Sequence, residues 1–290
     1  MHKIGFIGLG NMGLPMAENL QKAGYEVTGF DIKKNINTVI KISNSFENFL
    51  IDNDVLFTML PSGKEVSAVY KEIVEKSISS RIMIDCSTID IKSTHSIAEL
   101  AKKHRLQTLD APVSGGVVGA KDGTLTFMVG GDQKAFEKVK PLFEIMGKKA
   151  IYCGKSGSGQ AAKMCNNMIL GISMIGVCEA FTLAEKIGLD FEKLYEVSSN
   201  SSGSCWALNT YSPAPGIGPK TPADNNYEPG FSSDLMLKDL SLAQNAAEQT
   251  NSHTPLGLHA MQIYEELMKE GGQGKDFSYV LPLFSKKSRN

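Results

Sequence analysis

A glycine-rich turn near the start of the chain constrains the fold more than any other feature. Gly8, Gly10 and Gly13 have the spacing GxGxxG, directly after an apolar strand pattern and directly before a helical pattern. In a dinucleotide-binding unit the first glycine permits a tight turn, the second lets the backbone approach a pyrophosphate, and the third lets helix and strand pack closely. The helix N-terminus supplies amide donors to the phosphates. The predicted pyrophosphate-binding turn comprises Gly8, Leu9, Gly10, Asn11, Met12 and Gly13.

An acidic residue follows at the position that such a fold uses for the ribose. Asp31 ends the next strand pattern, 18 positions after Gly13. Its carboxylate is suited to accept hydrogen bonds from the adenosine ribose hydroxyls and to repel a 2′-phosphate. Lys33 and Lys34 follow closely and offer positive charge to a phosphate. We expect NAD as the cofactor, with a preference over NADP.

The two halves of the chain have different patterns. Residues 1–160 alternate short apolar runs with amphipathic stretches, which predicts βαβ units and a mostly parallel sheet. Residues 161–290 contain helical patterns and a long loop at 200–230 rich in Ser, Gly, Pro and Asn. The prediction is an α/β N-terminal Rossmann-type dinucleotide-binding domain (1–160) and an all-α C-terminal domain for substrate binding and oligomerisation (161–290), joined by a long central helix. That helix, Gly159 to about Ile187, is apolar over most of its circumference, so we expect it to be buried in the molecule or in a subunit interface.

The individual strands follow from short apolar runs rich in β-branched and aromatic residues. The predicted strands are Lys3–Ile7, Glu26–Phe30, Val55–Leu60, Arg81–Asp85, Gln107–Asp110, Leu125–Val129 and Ala150–Cys153.

Composition excludes several classes of function. The net charge of −1 argues against a surface for nucleic acid or anionic membrane, and no run of 18 apolar residues predicts a membrane span. The five cysteines form no CxxC pair and the five histidines have no zinc spacing, so we expect neither a disulfide framework nor a metal site. The first residues run straight into a strand pattern and leave no room for a leader, which predicts a cytoplasmic protein.

Two clusters carry candidate chemistry. The segment 110–116, DAPVSGG, ends the fifth predicted strand at the edge where open α/β sheets bind ligands. Ser114 with Gly115 and Gly116 offers a hydroxyl and exposed backbone amides, which suit a carboxylate. A purely structural turn explains the same residues equally well.

The second cluster, GSGQAAKMCNN at 157–167, leads into the long helix. Lys163 and Asn167 are four positions apart and therefore share one face of the helix. An ammonium group in an apolar helix is costly unless it has a role or a partner. Lys163 is either a residue of the first turns that extends to solvent, or a general acid/base whose neutral form is favoured by desolvation.

These segments together resemble the β-hydroxyacid dehydrogenase family over essentially the whole chain. The matching segments are IGFIGLGNMGLPMAENL at 4–20, DAPVSGG at 110–116, GSGQAAKMCNN at 157–167 and GFSSDLMLKDLSLA at 230–243. Four separated motifs in the correct order make the resemblance specific. It implies an NAD-dependent oxidoreductase that acts on a small hydroxyacid. The apolar central helix separately predicts self-association, as a homodimer or homotetramer, and the composition predicts no nucleic-acid or membrane partner.

The resemblance implies a role for each matching residue. Lys163 is expected to be the catalytic acid/base, with Asn167 one turn later hydrogen-bonding the substrate. The substrate carboxylate is expected at Ser114, Gly115 and Gly116, with Phe231 near the substrate. The further residues implied to contact the cofactor are Leu60, Pro61, Thr88 and Lys238, and Asp239 is expected to have a structural role.

The substrate is implied by the stretch 201–216, which resembles members acting on 3-hydroxyisobutyrate. The expected reaction is its oxidation to methylmalonate semialdehyde, a step of valine breakdown. One departure is Ser204, where related enzymes often have Arg, and this leaves the substrate open. The alternatives are a related enzyme acting on tartronate semialdehyde, serine or 3-hydroxypropionate, and a non-catalytic cofactor-binding scaffold.

Overall fold

The computed structural model describes residues 3–76 and 81–288. It contains two compact units, Met1–Lys163 and Met164–Asn290. The boundary between the two units follows Lys163. It lies three residues beyond position 160, at which the sequence pattern changes.

The first unit is built on one sheet. Within the described residues the sheet has nine strands, in the order β3-β2-β1-β4-β5-β6-β8-β7, with β9 paired to β8. All pairs are parallel except those of β8 with β6 and with β7. The strands are β1 (Lys3–Ile7), β2 (Glu26–Phe30), β3 (Lys41–Ile42), β4 (Val55–Thr58), β5 (Ile82–Asp85), β6 (Gln107–Asp110), β7 (Val113–Ser114), β8 (Leu125–Gly131) and β9 (Gly147–Gly154).

Helices cover both faces of this sheet. Side chains of α1 and α6 pack on one face and those of α2, α3 and α4 on the other, which explains why β1, β4 and β5 are apolar on both sides. The helices of this unit are α1 (Gly13–Lys22), α2 (Phe46–Asp52), α3 (Gly63–Glu75), α4 (Ile91–Lys103), α5 (Gly116–Asp122) and α6 (Gln133–Met146). Their starts are set by capping side chains such as Asp90, which accepts from the Ser93 amide at 2.7 Å.

The second unit is helical. Its helices are α7 (Ser158–Ile187, which begins in the first unit), α8 (Phe191–Ser199), α9 (Trp206–Asn209), α10 (Ser233–Gln249), α11 (Pro255–Lys269) and α12 (Val280–Lys287), with 3₁₀ turns at Pro222–Asn225 and Phe277–Tyr279. The predicted fold class, a Rossmann-type unit followed by a helical unit, is confirmed.

The helix α7 is buried only in part within the single chain. Ile169, Leu183 and Ile187 are each at least 60% exposed. In the described part of the chain α7 alone is long and apolar enough to cross a membrane, and half of its most apolar stretch is buried inside the protein. A core helix of a globular domain has the same length and composition.

The segment 200–230 corrects the sequence prediction, because it is not structureless. It contains α9 and the 3₁₀ turn at Pro222–Asn225. Thr221 and Asp224 form a capping box there, and Asp224 also accepts from the Gly216 amide at 2.7 Å. These local bonds order a segment whose composition predicts only a loop.

Candidate active site

The glycine-rich turn lies where the strand order reverses, between β1 and β4, which is the usual ligand position in such sheets. Gly8 has φ +90°, and a Cβ there would lie 2.3 Å from the Met59 carbonyl oxygen. A Cβ on Gly13 would lie 2.0 Å from the Gly8 carbonyl oxygen, so α1 and β1 approach as closely as the motif requires. A Cβ on the exposed Gly10 would meet nothing within 4 Å. The backbone at Gly10 is therefore open to a pyrophosphate.

Asp31 is bonded to this turn. One carboxylate oxygen accepts from the Leu9 amide at 2.6 Å and the other from the Lys33 amide at 2.7 Å. A carboxylate has about four lone-pair sites, so further acceptor capacity remains for ribose hydroxyls. The backbone amides of the turn fit the pyrophosphate of a dinucleotide. The Asp31 carboxylate fits an adenosine ribose that carries no 2′-phosphate.

The segments after β4 and β5 are tied together by Asp85, a residue that the sequence analysis did not single out. Its Oδ1 accepts from the Thr58 hydroxyl at 2.8 Å and from the Ser87 amide at 3.1 Å. The Ser87 hydroxyl accepts in turn from the Leu60 amide at 2.8 Å. Burial raises the pKa of Asp85 to about 6, against the opposing effect of these hydrogen bonds. An acidic residue at the end of an otherwise apolar strand, IMID, is the signal that could have identified it.

The start of α7 is fastened to the end of β6. Asp110 accepts from the Gly157 amide at 2.8 Å and from the Gln160 amide at 3.1 Å. Burial raises the pKa of the Asp110 carboxyl, while these backbone amides oppose the rise. Lys163 follows one turn later and is only 6% exposed. It therefore does not extend to solvent, which removes the surface alternative left by the sequence.

The segment 114–116 forms a turn that requires glycine. Gly115 and Gly116 have φ +130° and +62°, in the region that side-chain-bearing residues rarely adopt. Ser114 pairs with Thr126 of β8 and is partly exposed. The conformation of this turn therefore requires its two glycines. Binding of the substrate carboxylate by the exposed amides of the turn stays a hypothesis.

In the second unit, Asp239 brings Asn167 and Lys238 together. The Asn167 amide donates to Asp239 Oδ2 at 2.5 Å, and the Lys238 ammonium lies 3.7 Å from Asp239 Oδ1. Asn167 and Asp239 are 1% and 3% exposed. Asp239 thus fixes the amide of Asn167, so that the Asn167 carbonyl oxygen has a defined orientation.

Phe231 belongs to a different network, organised by Asp276, which sequence reasoning missed. The buried Asp276 carboxylate accepts from the Gly230 and Phe231 amides at 3.0 and 3.1 Å and from the Tyr211 hydroxyl at 2.9 Å. Burial and the neighbouring carboxylate raise the pKa of Tyr211. No motif surrounds Asp276, and its partners are up to 65 positions away in the chain.

The predicted site residues therefore fall into local groups. Within the first unit, Asp31 is hydrogen-bonded to the glycine-rich turn. The segment of Leu60 and Pro61 is hydrogen-bonded to Ser87, the residue before Thr88. Within the second unit Asn167 and Lys238 meet through Asp239, whereas Phe231 is held separately by Asp276. In the described residues no group of three or more His, Cys, Asp or Glu side chains is arranged to hold a metal ion.

Comparison with known families gives two matches. Residues 3–154 match the NAD binding domain of 6-phosphogluconate dehydrogenase. Residues 157–284 match the NAD-binding domain of NADP-dependent 3-hydroxyisobutyrate dehydrogenase.

Individual relatives match over nearly the full length. A mitochondrial 3-hydroxyisobutyrate dehydrogenase of Drosophila melanogaster is 45% identical over 98% of this chain and 89% of its own. An NAD-dependent L-serine dehydrogenase of Pseudomonas aeruginosa is 43% identical over 98% of both chains. A solved structure described as the Mycobacterium tuberculosis 3-hydroxyisobutyrate dehydrogenase with L-serine is 42% identical, covers 98% of this chain and 99% of its own, and has a TM-score of 0.93.

Proposed function

Because the chain belongs to the 3-hydroxyisobutyrate dehydrogenase family of NAD-dependent β-hydroxyacid dehydrogenases, we propose that it oxidises 3-hydroxyisobutyrate to methylmalonate semialdehyde. The observation that carries this proposal is the 45% identity with a relative of that name over 98% of the chain. This oxidation is a step of valine breakdown. Lys163 in a buried position supports catalysis over a scaffold role.

Proton transfer is the task proposed for Lys163. When bound, NAD would accept a hydride from the hydroxymethyl carbon of the substrate. The hydroxyl proton passes to the Lys163 amine, and the C–O bond becomes a carbonyl. Lys163 must enter this step as the neutral amine and leaves it as the ammonium. Lys163 is only 6% exposed, so bulk water has little access to the proton that its side chain takes.

The remaining residues are proposed to orient the two reactants. Ser114, Gly115 and Gly116 hold the substrate carboxylate with hydroxyl and amide donors. Asn167 orients the substrate hydroxyl, because Asp239 fixes its amide at 2.5 Å. Phe231 contacts the apolar part of the substrate.

Cofactor contacts are proposed for a second set. Gly8, Gly10 and Gly13 hold the pyrophosphate through the turn, and Asp31 accepts from the ribose hydroxyls. The residues proposed to line the nicotinamide half are Leu60, Pro61, Thr88 and Lys238.

L-Serine is the second candidate substrate. A relative 43% identical is named an NAD-dependent L-serine dehydrogenase, and the description of the M. tuberculosis structure includes L-serine. Serine has the same carboxylate and terminal hydroxyl as 3-hydroxyisobutyrate but an ammonium group in place of a methyl. Ser204 lies in the loop that the sequence associates with substrate choice. Its hydroxyl accepts from the side-chain amide of Asn209 at 2.9 Å.

The function is tested by initial rates of NAD reduction with 3-hydroxyisobutyrate, L-serine, glycerate and 3-hydroxypropionate. We expect the highest kcat/KM with 3-hydroxyisobutyrate. A higher value with serine or another acid would keep the mechanism and change the substrate. Bound NAD without turnover of any acid would favour the scaffold.

The same assay with NADP tests the role of Asp31. We expect NAD to be preferred, and the preference to collapse in Asp31→Ala, because the carboxylate that repels a 2′-phosphate is gone. Lys33→Ala is the control, and it should leave the preference for NAD intact. An unchanged NAD-to-NADP ratio in Asp31→Ala would assign cofactor choice to other residues.

Self-association through the helical unit is also proposed. Ile169, Leu183 and Ile187 of α7 are largely exposed although apolar, and they recur at helical spacing. A second copy of the chain would cover them, in a homodimer or homotetramer. Sedimentation velocity should give at least twice the chain mass, and Leu183→Glu should lower it, whereas a monomeric wild type would contradict the proposal.

We place the enzyme in the cytoplasm on the basis of its five free cysteines, which suit a reducing compartment. Fractionation of the native host checks this location.

A further inference from the structure

We infer that Gln160 and Asp110 are positioning residues, which hold the start of α7 and hence Lys163 in fixed register with the segment that carries Thr88. The inference rests on the proposed function, in which Lys163 moves the proton and Thr88 lines the nicotinamide. Neither Gln160 nor Asp110 is assigned a contact with substrate or cofactor.

Asp110 fixes the position of the helix along its axis. Its two carboxylate oxygens accept from the amides of Gly157, directly before α7, and of Gln160, in the first turn of α7. A negative charge at a helix N-terminus is also favoured by the helix dipole. The backbone is closely packed here, since a Cβ on Gly159 would lie 2.3 Å from the Met128 carbonyl oxygen and 2.6 Å from that of Asp110. A Cβ on Gly130 would lie 2.7 Å from both carboxylate oxygens.

Gln160 connects this turn to the segment after β5. Its side chain is fully buried, and its Nε2 donates to the Ser87 carbonyl oxygen at 2.8 Å. Its Oε1 accepts from the Ile89 amide at 3.2 Å. The one side-chain amide therefore bonds the backbone on both sides of Thr88. A carboxylate cannot make the donor half of this pair, and an apolar side chain makes neither.

Lys163 is three positions after Gln160 in the same helix, so the two side chains are neighbours on its surface. The network also extends away from the helix, because the Ser87 hydroxyl accepts from the Leu60 amide. Gln160 thus links the residue that takes the proton with both segments proposed to line the nicotinamide. A misplacement of about 1 Å in such a geometry can lower the rate about 100-fold.

A purely structural role makes a different prediction. A buried amide that only satisfies backbone groups contributes to stability, and its loss lowers the melting temperature without changing the chemistry of the folded enzyme. Asn53 provides the matched control. It is 2% exposed and donates to the Phe49 carbonyl oxygen at 2.6 Å, and it precedes β4 at the edge of the sheet opposite to the site.

The test compares Gln160→Met and Asn53→Leu with the wild-type protein. Both variants replace a buried amide by an apolar side chain, and both should lower the melting temperature. We expect Gln160→Met alone to lower kcat about 10- to 100-fold per folded molecule. It should also increase the primary deuterium isotope effect with substrate deuterated at the hydroxymethyl carbon and shift the pH profile of kcat. Equal kcat, isotope effect and pH profile in the two variants would overturn the inference.

Asp110→Asn is the second variant, and it keeps the assignment testable if Gln160→Met does not fold. One carboxylate oxygen becomes an amide donor that opposes a backbone amide, so the start of α7 should shift and kcat should fall. Asp132, which accepts from the Ala135 amide at 2.7 Å at the start of α6, supplies the control Asp132→Asn. A kcat for Asp110→Asn equal to that of Asp132→Asn would exclude a positioning role for Asp110.

Failure of the proposed function is distinguishable from failure of this inference. A wild-type protein that oxidises none of the four acids refutes the function. In that case the position of α7 relative to the segment that carries Thr88 is tested by amide hydrogen exchange and by NADH titration. Gln160→Met should accelerate exchange at Ile89 and Leu60 and weaken NADH binding relative to Asn53→Leu. Unchanged exchange and unchanged NADH binding would refute the inference as well.

Discussion

Lys163→Ala is expected to lower kcat about 100- to 10,000-fold while NAD binding is retained, because the variant loses the group proposed to take the hydroxyl proton. Lys163 is only 6% exposed, so water has poor access to replace it. The measurement is steady-state NAD reduction with the best acid of the panel, together with a fluorescence titration of NADH. The melting temperature is measured alongside, so that the loss of kcat is counted per folded molecule.

Two further variants test whether Lys163 acts as a base or only through its positive charge. Lys163→Arg keeps the positive charge but remains protonated, so it should be as inactive as Lys163→Ala. Lys155→Ala removes an exposed lysine three positions before α7 and should leave kcat unchanged. In the wild type the rate of oxidation should rise with pH as the amine loses its proton. An active Lys163→Arg enzyme would show that Lys163 acts through its charge and would contradict its role as the base.

The parts of the site that follow from local sequence were predictable. Gly8 has a positive φ, and a Cβ on Gly13 would clash with the Gly8 carbonyl oxygen, so the GxGxxG spacing between a strand pattern and a helix pattern indicates this turn. Asp31 was predictable for a similar reason, because a βαβ unit places the end of its second strand beside that turn.

The residues that depend on distant partners were not predictable in the same way. The position of Asp110 was marked by its motif, but its bonds to residues 157 and 160 join segments nearly 50 positions apart. Pattern alone also left Lys163 between solvent and interior, since burial depends on what packs around the helix. The strands β3 and β7 have two residues each and are too short to show an alternating pattern.

Asp276→Ala is expected to have the largest effect on stability. The carboxylate is fully buried and accepts from the Ser278 amide and hydroxyl at 3.0 and 2.7 Å, in addition to the Gly230, Phe231 and Tyr211 donors. Alanine leaves the two Ser278 donors buried and the Gly230, Phe231 and Tyr211 donors partly buried, all without their acceptor. A hydrogen bond to a charged group contributes about 1.5–3 kcal/mol, so loss of several of them at once should lower the unfolding free energy by about 3 kcal/mol or more. The measurement is urea unfolding followed by a signal from the helical unit.

The control for Asp276 is Asp224, whose carboxylate also accepts from two backbone amides, of Gly216 and Thr221, but at an exposed position. Water can replace the Asp224 carboxylate, so Asp224→Ala should cost much less. The backbone at Phe231 loses its anchor only in Asp276→Ala, which should raise KM for the hydroxyacid and accelerate amide exchange at residues 230 and 231. NADH binding should change little, because the glycine-rich turn and Asp31 lie in the first unit. An Asp276→Ala protein as stable as Asp224→Ala would mean that water reaches the five donors and that the carboxylate does not organise this loop.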